Sequence, residues 1–287
     1  MAYNGGSDPT LAEMITAKFV PEMFAAEAIL TAKSNLVCHD SFNTNYRNNL
    51  RQGHKVSIPV FSAASATEVT PGTEPTSGDL ASSSPVSITI DKWYESSAEI
   101  SDLVAIETLA DYMKGAAMET GYSIMKTVDL DVSSLFSTLS SSSVYGSDGQ
   151  TFTDDMFIAL TETLDENDVP DDGNRSLIGD PSMRADMMKV DKFIRIDYVN
   201  GKPVTNGLFG MIYNAKCKVS NNLTAATTGN YGVLAHRDAI GIVIQSNPRV
   251  RYWDMGYKFL TKIITDCAWG ADEIRDTFGK AFYTRKK

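Results

Sequence analysis

Two segments early in the chain alternate strictly between apolar and polar residues. A period of two is typical of a β-strand with one buried face. The first strand is predicted over residues 55–61 and the second over residues 85–91. Together they predict a β-hairpin whose apolar side chains form one stripe: Val56, Ile58, Val60, Val86, Ile88 and Ile90.

The segment that joins the two strands, residues 62–84, consists mainly of small and polar residues together with Gly and Pro. It is longer than most loops inside compact domains, which rarely exceed roughly 12–15 residues. A two-stranded ribbon is only marginally stable by itself in water, so the apolar stripe requires a second surface. A neighbouring copy of the chain is the most natural candidate for that surface. The hairpin therefore indicates assembly rather than catalysis.

Helical periodicity marks the segments on both sides of the hairpin. Apolar residues between positions 15 and 36 recur at helical spacing, and Pro21 is expected to bend or break this helix. The helix packs either on its own domain or, as an arm, on a neighbouring copy. A longer helix is predicted over residues 108–139. Gly115 and Gly121 make part of it thin, which suits a place where another backbone comes close.

The second half of the chain mixes short helical and short strand patterns, which predicts an α+β arrangement. Helices are expected after Thr153 and after the pair Asp180-Pro181, because both sequences are typical helix starts. Strands are predicted over residues 175–178, 211–213, 217–219, 231–234, 240–244 and 258–265.

Composition and charge limit the classes of function. The chain has 287 residues, of which 43% are hydrophobic, so it can form a large core. Its formal net charge of −10 argues against a sequence-independent nucleic-acid binder, which normally carries a basic patch. The same charge suits a container for DNA, because an acidic inner wall would repel phosphates. The three distant cysteines indicate no disulfide framework, and neither a signal peptide nor a membrane-length apolar run is expected.

The signals for catalytic chemistry are weak. No phosphate-binding loop, nucleophile elbow or zinc-protease motif occurs in the sequence. The turn from Asp165 to Asp172 offers oxygen ligands of the kind calcium prefers, but its spacing favours a solvated acidic turn. Residues 92–94 and 249–253 mix basic and aromatic side chains as nucleic-acid readers do, yet their place in predicted strands favours cross-strand packing. We therefore predict no catalytic residue, no metal and no cofactor.

The order of these parts resembles the major capsid protein of tailed bacteriophages, with the Hong Kong 97 phage-type fold. The resemblance covers nearly the whole chain and rests on several stretches taken together. They are FVPEMFAAEAIL (19–30) for the N-arm, GHKVSIPVF (53–61) through SITIDKWYESSAEISD (87–102) for the extended E-loop, METGYSIMKTVDLDVSSLF (118–136) for the spine helix, SLIGDPSMRADMMK (176–189) and GMIYNAKCKVSNNL (210–223) for the central domain, and AHRDAIGIVIQ (235–245) and WGADEIRD (269–276) for the closing strands.

The resemblance implies an α+β capsid fold divided into five parts. These are an N-terminal arm (1–52), an E-loop hairpin (53–91), a peripheral domain with the spine helix (92–149), an axial domain (150–255) and C-terminal strands that return to the peripheral domain (256–287).

The resemblance also implies a structural function. Copies would form pentamers and hexamers that close into an icosahedral shell around double-stranded DNA, without sequence-specific binding. The E-loop would lie over an adjacent subunit, which makes the six stripe residues the expected intersubunit contact. Scaffolding, portal and decoration proteins are the expected partners. The virion, assembled in the host cytoplasm, is the expected location, with no membrane involved.

Three alternatives remain open at this point. An encapsulin-type nanocompartment shell would share the same fold and the same assembly physics. A tail or decoration protein would form smaller rings or trimers. A metal-dependent hydrolase, from another class, would use the turn from Asp165 to Asp172.

Overall fold

The computed structural model describes residues 33–34, 36–45, 53–61, 66, 68, 70–72, 82–102, 112–139, 143–190 and 210–285, with the backbone alone for 60–61, 82–84 and 112. The helix predicted over residues 15–36 thus lies largely outside the described residues, as do the first four residues of the helix predicted over 108–139. The elements are α1 (Cys38–Ser41), β1 (Lys55–Phe61), β2 (Ser82–Thr89), β3 (Lys92–Ser101), α2 (Tyr112–Ser134), α3 (Asp154–Glu166), β4 (Arg175–Gly179), α4 (Pro181–Met187), β5 (Met211–Ile212), β6 (Ala215–Val219), β7 (Gly229–His236), β8 (Ile240–Met255), β9 (Leu260–Glu273) and β10 (Gly279–Arg285).

Helix α2 packs against one face of a three-stranded antiparallel sheet. The sheet has the order β3-β9-β8, so β9 lies in the centre and the other two strands form the edges. Cys267 and Trp269 of β9 are fully buried in one cluster with Ile124 and Val128 of α2. The indole nitrogen of Trp269 donates to Oδ2 of Asp131 on α2 at 2.9 Å. At 23 residues, or about 35 Å, α2 is the long central helix that the periodicity predicts.

A second sheet of five strands forms the other half of the core. Its order is β10-β7-β4-β6-β5, with β4 and β6 parallel and the other pairs antiparallel. Successive residues of β4 face opposite sides: Leu177 packs with α3 and α4, whereas Ile178 belongs to the cluster around α2. The sheet is therefore buried on both faces, which accounts for its fully buried central strand β4.

Both helix starts predicted from the sequence are confirmed. The side chain of Thr153 accepts a hydrogen bond from Met156 N at 3.3 Å and caps α3. Asp180 caps α4 in the same way, accepting from Met183 N at 3.0 Å, and Pro181 occupies the first turn.

The two sheets divide the chain at other positions than the sequence predicts. Strand β8 falls within the predicted axial domain, residues 150–255. It pairs along its length with β9 in the three-stranded sheet. Strand β10, placed in the peripheral domain, pairs instead with β7 in the five-stranded sheet. The partner of β10 is distant in sequence, so local alternation does not encode that pairing, whereas β8 and β9 follow each other along the chain and form a hairpin. The assignment of peripheral and axial roles stays a prediction.

Candidate assembly surfaces

The β1–β2 hairpin has the register that the alternation predicts near its base. Two cross-strand pairs form the apolar stripe there: Val56 with Ile88, and Ile58 with Val86. The register then shifts between Ile58 and Val60, where Pro59 supplies no backbone N–H to the ladder. A bulge of this kind bends a strand and changes the direction of the side chains beyond it.

The base of this hairpin rests on the three-stranded sheet of the same chain. Ile88 is fully buried and packs with Val243 of β8. Two glycines allow this close approach. A Cβ on Gly270 would lie 2.1 Å from the carbonyl oxygen of Thr89, and a Cβ on Gly241 would lie 2.6 Å from Cδ1 of Ile88. A larger residue at position 270 would push the hairpin away from the sheet, because its nearest contacts are backbone atoms of Thr89; at position 241 the side-chain ends of Ile88 and Ile274 would have to shift.

This contact changes the role predicted for the apolar stripe. Ile88 has no exposed surface and Val56 is only 9% exposed within one subunit, so neither is left to contact a neighbouring copy. The half-buried members of the stripe retain part of their surface: Ile58, Val86 and Ile90. The side chain of Val60 lies outside the described residues. An intersubunit role therefore stays a prediction for the half-buried members alone.

A buried carboxylate on α2 holds the N-terminal segment. Asp129 has no exposed surface, and its Oδ1 accepts hydrogen bonds from the backbone N–H groups of Cys38 and His39 at 2.8 and 3.0 Å. Its Oδ2 accepts a hydrogen bond from Nδ2 of Asn222 at 3.3 Å. The two backbone donors belong to the start of α1, where N–H groups have no partner within the helix. Asp129 thus fixes residues 36–45 to α2.

The residues just before this anchor also follow α2. Ser34 N donates to the hydroxyl of Tyr122 at 2.7 Å, and Nζ of Lys33 lies 3.2 Å from Oε1 of Glu119. The described residues that follow the predicted helix thus contact their own chain, and the choice between the two alternatives for that helix stays a prediction. Residues 1–32 lie outside the described part of the structure.

The acidic turn after α3 surrounds the guanidinium of a buried arginine. Arg175 is 2% exposed and donates to Oδ1 of Asp165 at 2.7 Å and to the carbonyl oxygens of Val169 and Pro170 at 2.5 and 3.1 Å. Asp171 lies 4.0 Å from the same guanidinium. A buried cation occupies the space between these oxygens, so the turn is a structural element. This geometry argues against the metal-dependent hydrolase.

The last carboxylate of the turn binds a buried histidine. Nδ1 of His236 accepts a hydrogen bond from Asp238 N at 3.2 Å, so the ring proton lies on Nε2, which faces Oδ1 of Asp172 at 3.2 Å. Two hydrogen bonds from Asn174 and the one from His236 lower the pKa of Asp172 to about 2. Among the described residues, no group of three His, Cys, Asp or Glu side chains has the geometry to hold a metal ion.

The far end of the three-stranded sheet exposes several large aromatic side chains. We define residues 249–259, the end of β8 and the turn that leads to β9, as the basic aromatic end. Trp253, Tyr257 and Phe259 are 63%, 78% and 75% exposed there. Of these three, Trp253 alone belongs to residues 249–253, for which cross-strand packing is expected; it lies opposite Lys262 of β9 and keeps most of its surface exposed.

A carboxylate lies beneath the arginines of this end. Asp266 of β9 is 5% exposed, and its Oδ2 accepts from Nη2 of Arg249 at 2.5 Å and from Nε1 of Trp93 at 3.4 Å. Nε of Arg251 lies 3.7 Å from Oδ1, which is too long for a hydrogen bond. The hydrogen bond from Arg249 lowers the pKa of Asp266. One aspartate thus balances only part of the charge of two half-exposed arginines.

The thiols are poor nucleophiles. None of the three cysteines, all within the described residues, forms a disulfide, and burial raises the pKa of Cys38 far above its ordinary value and that of Cys217 to about 12. In the part of the chain that is described, no helix has both the length and the apolar character of a membrane span.

The whole fold is similar to solved structures of phage particles. A structure from Mycobacterium phage Che8 has a TM-score of 0.77 at 18% sequence identity, over 92% of this chain and 97% of the other. The capsid structure of cyanophage P-SCSP1u has a TM-score of 0.75 at 16% identity, over 100% and 97% of the two chains. The mature capsid of bacteriophage PhiM1 has a TM-score of 0.67 at 13% identity, over 92% and 91%. No protein-family model matches the sequence, and no curated protein is significantly similar to it.

These similarities extend over nearly the full length of each chain. At such low identity they show the fold and do not show which residues form contacts in an assembly. The chain has the fold of phage capsid structures, as the order of its segments predicts.

Proposed function

We propose that this chain is a structural coat protein whose copies assemble into an icosahedral shell around double-stranded DNA. The observation that carries the proposal is the similarity to capsid structures over 92–100% of the chain, with no large part of the chain left over for another function. The shell would be built from pentamers and hexamers, and the protein would reside in the virion after assembly in the host cytoplasm.

The hairpin supports this proposal because its base and its outer part have different surroundings. The base is fixed to its own subunit through Ile88, and the exposed residues described in the connecting segment are Ala66, Glu68, Thr70, Pro71 and Gly72. A ribbon of two strands is marginal in water, so an outer part of this length gains stability from a second surface. A neighbouring subunit supplies that surface in a symmetric assembly.

Charge supports enclosure of DNA rather than tight binding to it. The chain has a formal net charge of −10, which disfavours extensive contact with phosphates. Packaged DNA would then lie against the wall without sequence-specific contacts. Scaffolding, portal and decoration proteins are the partners that such a shell requires for assembly and completion.

Negative-stain electron microscopy of the purified protein tests the proposal. Uniform round shells are expected, and a stable monomer under all assembly conditions would contradict it. A variant that lacks residues 66–83 is expected to remain folded, with an unchanged circular dichroism spectrum, and to form far fewer shells.

Two point variants separate the proposed intersubunit contact of the hairpin from the stability of the subunit. Val86→Ser changes a half-buried position of the stripe and is expected to weaken assembly while the subunit stays folded. Ile88→Ser, in the neighbouring buried pair, is expected to destabilise the subunit itself by about 2–5 kcal/mol. Equal effects of the two variants on thermal unfolding and on assembly would contradict this division of the stripe.

A further inference from the structure

Two passages of the chain between the two sheets lie side by side. Strand β7 of the five-stranded sheet leads into β8 of the three-stranded sheet through residues 236–240, and β9 leads back to β10 through residues 273–279. The carbonyl oxygen of Ala239, in the first passage, accepts from Ile274 N at 2.8 Å and from Arg275 N at 3.2 Å in the second. We call these two hydrogen-bonded passages the junction. They help to fix the position of one sheet relative to the other.

The buried side chain of His236 touches every part of this junction. Its ring meets that of Phe278, in the second passage, edge-on with 5.8 Å between the centroids. Its nitrogens bind Asp172 of the acidic turn and the backbone N–H of Asp238 in the first passage. Asp238 in turn holds the N-terminal segment, because its Oδ1 accepts from Nδ2 of Asn43 at 2.7 Å. A change at this one ring therefore reaches both passages and the N-terminal segment.

The hydrogen bonds and the charges around the ring favour different protonation states. The bond from Asp238 N requires a neutral ring, because Nδ1 must accept it. The charges in contact favour the imidazolium: Oδ1 of Asp172 lies 3.2 Å from Nε2, and Oδ2 of Asp238 lies 3.8 Å from Nδ1. With a pKa of about 2, Asp172 stays ionised while a histidine changes its charge, which happens between about pH 5 and 8.

Further charged groups lie on the strands and turns around the junction. They are Arg175 opposite the histidine on β4, Arg237 in the turn, Lys280 on β10, and Glu273, Arg275 and Asp276 in the second passage. The cations oppose protonation of the ring and the two carboxylates in contact with it favour protonation. Arg175 is already bound by Asp165 at 2.7 Å. Burial raises the pKa of Glu273, so this carboxyl is a second group whose titration must be tested.

We propose that His236 is a pH-sensitive switch that loosens the junction when its ring is protonated. The new proton on Nδ1 points at the N–H of Asp238, so this hydrogen bond is lost. The carboxylate of Asp238 can replace it as acceptor, but its Oδ2 has to move by at least about 0.6 Å to come within hydrogen-bond distance. That movement draws Asp238 away from Asn43. The switch lies within one subunit and does not rest on the proposed function.

Hydrogen exchange of single amides tests the switch directly. Rates are measured at about pH 7.5 and about pH 5.5, on either side of the ordinary histidine titration, and are corrected for the intrinsic pH dependence of exchange. Two amides report the change: that of Asp238, and that of Ile242, which donates to the carbonyl oxygen of Asn43 at 3.0 Å. Both are expected to exchange about five- to tenfold faster at the lower pH. Equal corrected rates at the two pH values would overturn the proposal.

Substitutions decide which group causes the change. His236→Gln keeps a side-chain N–H donor but does not titrate, so it is expected to abolish the pH difference. His39→Gln is the matched control, because His39 also lies beside a carboxylate, 3.3 Å from Oδ1 of Asp129, and it is expected to keep the difference. A difference that persists in His236→Gln would contradict the proposal. Loss of the difference in Glu273→Gln instead would assign the titration to that carboxyl and would also contradict it.

A second variant keeps the histidine and changes only its surroundings, in case His236→Gln does not fold. Asp238→Asn removes the charge that stabilises the imidazolium, so the midpoint of the exchange change is expected to fall by about one pH unit. Asp254→Asn removes an exposed acid of β8, outside the junction, and is expected to leave the midpoint where it is. An unchanged midpoint in Asp238→Asn would overturn the switch, whether or not the protein forms shells.

Discussion

Replacing Gly270 by alanine tests whether the contact between the hairpin base and the three-stranded sheet matters for assembly. The added Cβ would lie 2.1 Å from the carbonyl oxygen of Thr89 and 2.8 Å from its carbonyl carbon. Both atoms belong to the backbone, so a change of side-chain rotamer cannot relieve the contact. Since Cβ atoms are almost never found closer than 3.0 Å to a heavy atom, the hairpin base must move by at least about 0.9 Å.

That movement has two consequences. It lowers the free energy of unfolding through overpacking, and it displaces the outer part of the hairpin. Overpacking of this kind costs about 1–3 kcal/mol in the free energy of unfolding, which a large subunit tolerates. The ladder extends from Thr89 to Ser82 and carries a shift or rotation at its base to the outer strands, about 23 Å away. We therefore expect a folded subunit whose threshold concentration for assembly rises at least tenfold.

Hydrogen exchange and light scattering measure the two consequences separately. The Ile90 amide, which donates to the carbonyl of His54 at 2.7 Å, is expected to exchange faster in Gly270→Ala. Gly210→Ala is the matched control, because a Cβ there meets nothing within 4 Å. Parent-like exchange at Ile90 together with a parent-like assembly threshold would refute the reasoning. Parent-like assembly with faster exchange would show that the position of the hairpin base is dispensable for the intersubunit contact.

Three further changes test the supporting structure. Asp129→Ala is expected to weaken the attachment of the N-terminal segment by about 3 kcal/mol, because two backbone N–H groups lose a charged acceptor; unchanged hydrogen exchange at Cys38 and His39 would contradict this. Arg175→Met is expected to lower the free energy of unfolding in urea by about 3 kcal/mol, since it removes hydrogen bonds to two carbonyls and one carboxylate; a loss below about 1 kcal/mol would contradict it. The pKa of Asp172, about 2, lies below the ordinary value of about 3.9, so its contribution is complete above pH 4 or so and is lost as the pH falls towards 2. The melting temperature of the parent should therefore fall more steeply in that window than that of Asp172→Asn, and parallel curves would argue against the assignment.

Local pattern predicted the elements better than it predicted their partners. The alternation over residues 55–61 and the cap at Asp180 lead directly to β1 and α4, because both signals act within a few residues. Strand β8 is longer than the predicted strand 240–244: those five residues are all buried, and the strand continues to Met255 through mostly exposed positions. The sheet membership of β10 depends on contact with β7, which lies far away in sequence, and no local period contains that contact.

The features that the sequence did not predict depend on which groups come together in the folded chain. Gly270 and Gly241 gave no recognisable signal, because a glycine that admits a neighbouring backbone looks the same in sequence as one in a turn. The acids from Asp165 to Asp172 suggested a cation site, and a cation is present, but it is the guanidinium of Arg175. Charge clusters predict that an opposite charge is close; they do not predict whether it is an ion, a side chain or a partner.

The same reasoning distinguishes the basic aromatic end from the acidic turn. Charge that is not balanced within the subunit remains at the basic aromatic end, whereas the acids of the turn are balanced by Arg175. In the turn, each carboxylate contact to Arg175 is made within the subunit and the cation is 2% exposed, so little attraction is left for another molecule. At the basic aromatic end, Asp266 satisfies Arg249, but Arg251 stays 3.7 Å away with a side chain that is 60% exposed. A contact built on such a surface is weak by itself, because exposed ion pairs contribute about 0–1 kcal/mol. In the proposed shell such a contact would be repeated in every subunit, and many weak contacts together would then suffice for assembly.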